Sequence, residues 1–303
     1  MGANQQNPYA MRAHLITLAA FLCFGLMSPL CKWAMAGGLI TGVSMAAFRL
    51  CGAAILFWAA SVAAPKQRIE RGDWRALVIM SLCGMGINQF CYVTGVQYTS
   101  PTNACVITTG TPVFTFALSA IFLHAAVSMR KVCGLALAAT GALVLILGSQ
   151  LQGGLSGNPM GDSICLLSQL AASCYFVFFS GIIRKYHPII LMRWLFTISA
   201  VLTAPIWLHE VCSMPWQQLG TAEIIGSLYV VLFGSFISYL LMIVGQRHLE
   251  PSTVAAYNYI QPIIAATVGI MLGLDALTWQ KVVAIFFIAA GVWAIACKRT
   301  VKS

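Results

Sequence analysis

Long apolar segments set the pattern of residues along this chain. Polar and apolar positions do not alternate as in the strands of a membrane barrel; apolar residues run on for about 20 positions between short polar breaks. A helix of that length crosses the hydrocarbon core of a bilayer. The pattern therefore predicts ten membrane-spanning helices, spans 1–10, at residues 13–36, 41–64, 74–95, 102–123, 130–149, 160–183, 188–208, 222–245, 252–273 and 278–297.

Composition supports a membrane protein. Of the 303 residues, 60% are hydrophobic and 8% are charged, against about a quarter charged in soluble domains. Eleven cysteines are present, but all except Cys212 fall inside apolar runs, where they act as small packing residues. Only Cys212 is predicted in a loop. No disulfide framework, metal site or cofactor is predicted, because no metal-ligand spacing of Cys and His occurs.

The basic residues are distributed unevenly along the chain. If the N-terminus is cytoplasmic, most of the 17 Lys and Arg residues lie in cytoplasmic loops or at their edges, and the loops of the other side hold none. This asymmetry is the positive-inside pattern, and it predicts that both termini are cytoplasmic. The net charge of +10 is then explained by topology, so that nucleic acid is not an expected partner.

The chain also repeats itself weakly at an offset of 150 residues. Pro101 and Pro112 align with Pro251 and Pro262. The helically spaced set Gly84, Asn88, Tyr92 and Gly95 aligns with Gly234, Ser238, Met242 and Gly245. The repeat predicts two halves, 1–149 and 150–303, of five spans each. Because five is odd, the second half is expected to enter the membrane from the opposite side, as in many secondary transporters.

Three stretches resemble a known family. "MSPLCKWAM" followed by "AFRL" resembles the opening helices of the EamA-type ten-helix branch of the drug/metabolite transporter superfamily. "GTPVFTFALSAIFLHAAVSMRKVCGLALAATGALVL" and "IQPIIAATVGIMLGLDALTWQKVVAIFFIAAGVWAI" resemble the ends of its two repeats. The resemblance implies an all-α secondary transporter of the plasma (bacterial inner) membrane. It would export small metabolites or amino acids by alternating access of its two halves.

Polar side chains in the middle of spans are the candidate substrate ligands. A mixed aromatic and amide lining suits a small amphiphilic metabolite, and the expected position is between spans 3, 4, 8 and 9. The alternative for each residue is hydrogen bonding between packed helices. The candidates are Asn88, Tyr92, Thr108, Tyr175, Ser238, Tyr257, Asn258 and Gln261, with the cation Arg49.

Two cations within spans have two interpretations each. Arg49 lies in span 2, where it could contact a substrate carboxylate or bind backbone carbonyls of a neighbouring helix. Lys32 lies near the outer end of span 1, where it could extend to the membrane surface or face the mouth of a cavity.

Pro112 and Pro262 are predicted to kink spans 4 and 9 at matching depths. Each proline lacks the N–H that would bond the carbonyl four residues earlier, on Thr108 and Asn258 respectively. Paired interruptions of this kind mark binding sites in inverted-repeat transporters, although a plain packing kink is the alternative. Since "YNYIQP" carries more polar side chains than the first kink, the substrate is expected nearer to span 9.

Two other functions are compatible with part of the pattern. A nucleotide-sugar or phosphorylated-metabolite exchanger of the same superfamily would need several cations in its cavity, and few are available. An intramembrane enzyme would need a reactive cluster at depth, but all seven acids and five histidines fall at span ends or in loops. If a proton is the coupling ion, it is not carried by a deep acid. The sequence leaves the oligomeric state open.

Overall fold

A computed structural model of the chain is helical throughout the part that it describes. That part comprises residues 8–123, 158–249 and 251–273, with scattered positions between 129 and 144 and between 278 and 291. Predicted spans 5 and 10 lie for the most part outside the described residues. No β-strand occurs within the described ranges, which agrees with the predicted all-α class.

Eight helical segments are long and apolar enough to cross a membrane. They correspond to predicted spans 1–4 and 6–9, and their ends agree with the prediction to within a turn or two. These eight predicted spans are therefore confirmed in existence and order. Their bounds are Met11–Met35, Gly42–Ala60, Arg71–Tyr98, Pro101–Phe122, Pro159–Phe178, Pro188–Cys212, Thr221–His248 and Thr253–Met271.

Several of these spans contain more than one helical element. Spans 3 and 8 each contain a π-helical turn, and spans 4 and 9 are each interrupted near their middle. Cys212 ends a helix, so its predicted position in a loop was wrong. The α-helices are Pro8–Met35, Gly42–Ala60, Trp74–Ser81, Asn88–Tyr98, Pro101–Thr108, Gly110–Phe122, Pro159–Phe178, Ser180–Lys185, Pro188–Cys212, Thr221–Val231, Ser238–His248, Pro251–Ala256 and Gln261–Met271; the π-helices are Leu82–Ile87 and Leu232–Ile237; the 3₁₀ turns are Arg71–Asp73, Trp216–Gln218 and Tyr257–Ile260.

Local sequence signals explain where helices begin. Ser100 Oγ accepts a hydrogen bond from the N–H of Asn103 at 3.1 Å, and Pro101 fits the first turn, where no N–H is needed. The pair Asn158 and Pro159 starts span 6 in the same way. Capping residues of this kind set the residue at which a helix begins, which the composition of an apolar segment does not define.

The succession of elements repeats at an offset of 150 residues. The π-helix Leu82–Ile87 corresponds to Leu232–Ile237, and the helix Asn88–Tyr98 that follows corresponds to Ser238–His248. π-Turns are rare and occur often at functional sites, so their recurrence at one offset is a specific mark of an internal repeat. The weak sequence repeat therefore corresponds to a repeat of structure.

Glycines bring spans of the two halves into close contact in a symmetric way. A Cβ at Gly95 in span 3 would lie 2.8 Å from the carbonyl oxygen of Gly161 in span 6. In the corresponding place, a Cβ at Gly245 in span 8 would overlap the side chain of Thr17 in span 1. Each half thus packs its π-containing span against the first span of the other half.

A charged bridge joins the start of span 3 to the segment between spans 6 and 7. Lys185 Nζ lies 2.6 Å from Glu70 Oε2 and 2.7 Å from Asp73 Oδ2. The hydroxyl of Tyr186 donates to the same Asp73 oxygen at 2.6 Å. These contacts connect the two halves outside the apolar region. The hydrogen bonds to Asp73 and Glu70 raise the pKa of Lys185 above its ordinary value.

Lys185→Met is expected to lower the melting temperature slightly, because the bridge is exposed to solvent. A raised pKa in the folded state means that the stabilisation is complete below the ordinary lysine pKa of about 10.4 and is lost as the pH rises through the folded-state value. The difference between wild type and variant should therefore be constant from neutral pH to about pH 9 and shrink at higher pH. The measurement is thermal unfolding of the detergent-purified protein against pH, with the exposed neighbour Arg184→Met as control. If the difference in melting temperature between wild type and Lys185→Met persisted at high pH, the charged bridge would not be its cause.

Candidate functional site

A cavity lies between the two halves at the level of the interrupted helices. Its space, including the open mouth, is about 580 Å³. Both halves contribute about equally to its wall. The lining residues are Phe21, Phe24, Met27, Arg49, Gly84, Asn88, Tyr92, Thr108, Thr111, Gln169, Ala172, Tyr175, Phe176, Tyr239, Met242, Asn258 and Gln261.

Seven of the nine predicted ligands line this cavity, namely Arg49, Asn88, Tyr92, Thr108, Tyr175, Asn258 and Gln261. The other two lie outside it. Ser238 is buried, and its hydroxyl donates to the carbonyl oxygen of Phe233 inside the second π-turn. The hydroxyl of Tyr257 bonds His14 Nδ1 at 2.8 Å, and the Tyr257 ring stacks on Phe21. Spans 1, 2 and 6 also line the cavity, in addition to the expected spans 3, 4, 8 and 9.

The helix breaks place polar side chains on the wall of the cavity. Span 4 is interrupted at Thr109, three residues before Pro112, and span 9 has a 3₁₀ turn directly before Gln261 and Pro262. Each interrupted span contributes two polar lining residues, Thr108 and Thr111 from the first and Asn258 and Gln261 from the second. This even division does not by itself favour the side of span 9.

Most polar groups of the wall have partners inside the protein. Gln261 Nε2 donates to Asn258 Oδ1 at 2.7 Å, and Asn258 Nδ2 donates to the carbonyl oxygen of Ala255 at 3.0 Å. The Thr111 hydroxyl donates to Gln169 Oε1 at 2.7 Å. These pairs hold the amide groups in fixed orientations, so the wall is preorganised for a ligand.

Asn88 connects three spans at the wall. Its Nδ2 donates to the carbonyl oxygen of Ser168 in span 6 at 2.9 Å, and its Oδ1 accepts from the Tyr239 hydroxyl at 3.3 Å. Asn88 follows the first π-turn directly, which explains its orientation toward the other half. Asn88 therefore forms hydrogen bonds between packed helices, and it also lines the cavity.

Arg49 is the one ionic side chain among the described residues that line the cavity, and it is 1% exposed. Its Nε donates to Ser235 Oγ at 3.0 Å, and its Nη2 lies 3.5 Å from the carbonyl oxygen of Gly234. Both partners belong to the second π-turn, where backbone carbonyls are freed from regular helix bonds. The interpretation of Arg49 as a ligand of a neighbouring backbone therefore accounts for part of its hydrogen-bonding capacity.

Lys32 is not among the described residues that line the cavity. Its Nζ donates to the carbonyl oxygens of Val96, Gln97 and Thr99 at 3.1, 2.6 and 3.0 Å. The helix of span 3 ends at Tyr98, so these carbonyls lack helical partners. Neither sequence interpretation of Lys32 included this contact: the charge caps the negative end of a helix in the same half.

Lys32→Met is expected to destabilise the protein by about 2–3 kcal/mol, because three carbonyls lose a charged donor. The measurement is the melting temperature of the detergent-purified variant. The control is Lys66→Met, which removes a positive charge at an exposed loop position where the lysine does not cap a helix. Equal stability of Lys32→Met and wild type would show that water replaces the ammonium group at no cost.

Some lining residues could have been found from the sequence and others could not. Gln169 is a polar residue deep in span 6, so the criterion that selected Tyr175 could have selected it too. Phe21, Phe24 and Met27 carry no such signal, because an apolar residue in a spanning helix looks the same whether it faces lipid, protein or a cavity. Among the described residues, no group of three His, Cys, Asp or Glu side chains is arranged to hold a metal ion.

Comparison with known proteins divides the chain into two matching segments. The sequence profile of the EamA-like transporter family matches residues 11–147 and again residues 159–297. The chain belongs to the EamA-like transporter family. This EamA-like protein is thus a multi-pass integral membrane transporter of the drug/metabolite type, with a small-molecule substrate and the lipid bilayer as its surroundings.

Relatives of this EamA-like chain carry transporter or transporter-related names. An uncharacterized transporter of Archaeoglobus fulgidus is 25% identical over 262 residues, covering 86% of this chain and 90% of that protein. A WAT1-related protein of Arabidopsis thaliana is 23% identical, covering 75% of this chain and 70% of that one. One crystal structure aligns with a TM-score of 0.71 at 17% identity over 94% of this chain and 96% of its own, which supports the fold alone.

Proposed function

We propose that this EamA-like protein exports small metabolites or amino acids across the plasma (bacterial inner) membrane by alternating access. In this proposal ten spans form two inverted five-helix repeats, residues 1–149 and 150–303, with both termini in the cytoplasm. The observation that carries the proposal is the cavity shared by the two halves, with a proline-interrupted helix of each half in its wall. Rocking one repeat against the other would expose such a cavity to each side in turn.

The composition of the wall supports an amphiphilic organic substrate. Aromatic and thioether side chains supply apolar surface, and oriented amides and hydroxyls supply hydrogen bonds. A phosphorylated substrate is less well supported, since it would call for several cations and Arg49 is the one described in the wall. The Lys32 ammonium group is engaged by carbonyls, and Lys281 lies outside the described residues.

Catalysis finds no support in the cavity. None of the described acids lines it, and Cys, Ser and His groups in nucleophile–base pairs are not found among the residues of its wall. We therefore propose that the protein is not an enzyme. A proton, if it is the coupling ion, would be carried by a group other than an acid in the described wall.

The test of export compares culture media. Cells that overproduce the protein and cells that lack it are grown in parallel, and metabolites in both media are profiled. Export predicts one or more small organic compounds enriched outside the overproducing cells and depleted inside them. Identical profiles across growth conditions, with the protein present in the membrane, would contradict the proposal.

A further inference from the structure

Arg49 is a buried cation for which the described structure provides no counter-ion. The ion pairs within the described ranges are both formed by Lys185, at the end of the helix Ser180–Lys185. A buried charge is costly unless it is paired and fully hydrogen-bonded. Arg49 therefore retains a capacity for a negative partner.

A count of its donors shows where that capacity lies. A guanidinium group has five N–H donors. Nε has a good acceptor in Ser235, and the contact of Nη2 to Gly234 is long at 3.5 Å. Nη1 has no acceptor in hydrogen-bonding geometry, although the Tyr239 hydroxyl lies close to the guanidinium group. The edge formed by the two Nη groups is thus largely unsatisfied, and this edge matches the two oxygens of a carboxylate.

The amide groups of the wall, unlike the Nη1 group of Arg49, have hydrogen-bond partners inside the protein. The amides of Asn88, Asn258 and Gln169 have at least one partner each, as does Gln261, whose Nε2 donates to Asn258. Arg49 alone among the described lining residues combines a formal charge with an unpaired donor. Since Arg49 is 1% exposed and lines the cavity, a ligand would reach it through that cavity.

We propose that the cavity selects substrates with a carboxylate, which binds the Nη edge of Arg49. The proposal rests on the proposed transport function and names its substrate class. The apolar part of the substrate packs against the side of the cavity formed by Phe21, Phe24 and Met27. A single cation balances one carboxylate but not a phosphate dianion, so monocarboxylates and zwitterionic amino acids fit better than phosphate esters.

The test uses matched pairs of probes that differ in charge and not in shape. Phenylacetate is compared with phenylacetamide, and leucine with leucinamide; phenyl phosphate represents the phosphate alternative. Binding to the detergent-purified full-length protein is measured by calorimetry and by the shift in melting temperature. We expect at least one acid to bind about 10–100-fold more tightly than its amide, and more tightly than phenyl phosphate.

Substitutions test whether Arg49 causes the tighter binding of the acid than of its amide. Arg49→Gln should bring the affinity for the acid to that for the amide, and Arg49→Lys should lose about tenfold because a lysine cannot form the paired bonds. Arg75→Gln, an exposed arginine at the start of span 3, should leave the preference unchanged. If Arg49→Gln does not fold, the role of Arg49 is tested by the affinity of Arg49→Lys for the acid and by the ratio of acid to amide affinity in the wild type.

Several results would overturn the assignment: equal affinity for acid and amide, tighter binding of phenyl phosphate, no binding of any acid, or a folded Arg49→Gln that retains the preference. Flux of the labelled probe in proteoliposomes separates this inference from the transport function. Flux without preference for the acid overturns the carboxylate and leaves transport standing. Arg49-dependent binding without flux of any probe supports the carboxylate and counts against transport.

Discussion

Ala172→Phe is expected to abolish export and leave the protein folded. Ala172 lines the cavity from span 6, between Gln169 and Tyr175, and its side chain is a single methyl group. A phenyl ring at this position would occupy the space in which a substrate binds. Because Ala172 is partly exposed and lines the cavity, the ring would extend into that space and not between tightly packed helices.

The measurement compares the compounds exported by wild type with those exported by the variant, at equal amounts of protein in the membrane. Export by Ala172→Phe should fall to the background of cells that lack the protein. Leu170→Phe is the matched control, because it adds a similar ring on the same helix at a residue that is 39% exposed. Normal export by Ala172→Phe, in a protein that melts like wild type, would mean that the substrate takes another path.

Gly95→Ala is expected to destabilise the protein by about 3 kcal/mol or more, at the upper end of overpacking effects. The added methyl group would overlap Cys165 Sγ and lie 2.8 Å from the carbonyl oxygen of Gly161 and 3.0 Å from the N atom of Cys165. Two of these three atoms are backbone, so a side-chain rotation cannot relieve the overlap. Spans 3 and 6, which belong to different halves, would have to move apart.

Two other glycines provide controls for this effect. Gly234 occupies a corresponding surface in the second half, but a Cβ there would meet the flexible side chain of Met27, so Gly234→Ala should cost less. Gly181 has no atom within 4 Å of a built Cβ, so Gly181→Ala should be near neutral or slightly stabilising. Melting temperatures of the three variants should fall in the order Gly181→Ala, Gly234→Ala, Gly95→Ala. Any other order would show that these contacts do not limit stability.

The spanning helices, their order and the repeat could be predicted from the sequence. A run of about 20 apolar residues is a local property, and so is a proline within it. The four glycines that align in the repeat, Gly84, Gly95, Gly234 and Gly245, all lie where a side chain would collide with a neighbouring helix.

The partners of individual polar side chains could not be predicted. Lys32 and Arg49 look alike in the sequence, as single cations within apolar helices. The first is bound by three carbonyls of span 3, while the second lines the cavity with an unpaired donor. Likewise Tyr257 faces His14 outside the cavity, although its neighbour Asn258 lines it.

The sequence by itself determined the number and order of the spans that are described here, the 150-residue repeat and the depth of the two helix breaks. These properties depend on residues close together in the chain, because length, hydropathy and proline act on one helix at a time. Tertiary structure alone decided which groups meet across 73 to 243 positions of sequence, such as the Ser28 hydroxyl with the carbonyl oxygen of Pro101 and His14 with the Tyr257 hydroxyl. Such meetings depend on the rotation and axial position of each helix against its neighbours, and apolar residues that can face either lipid or protein do not encode these.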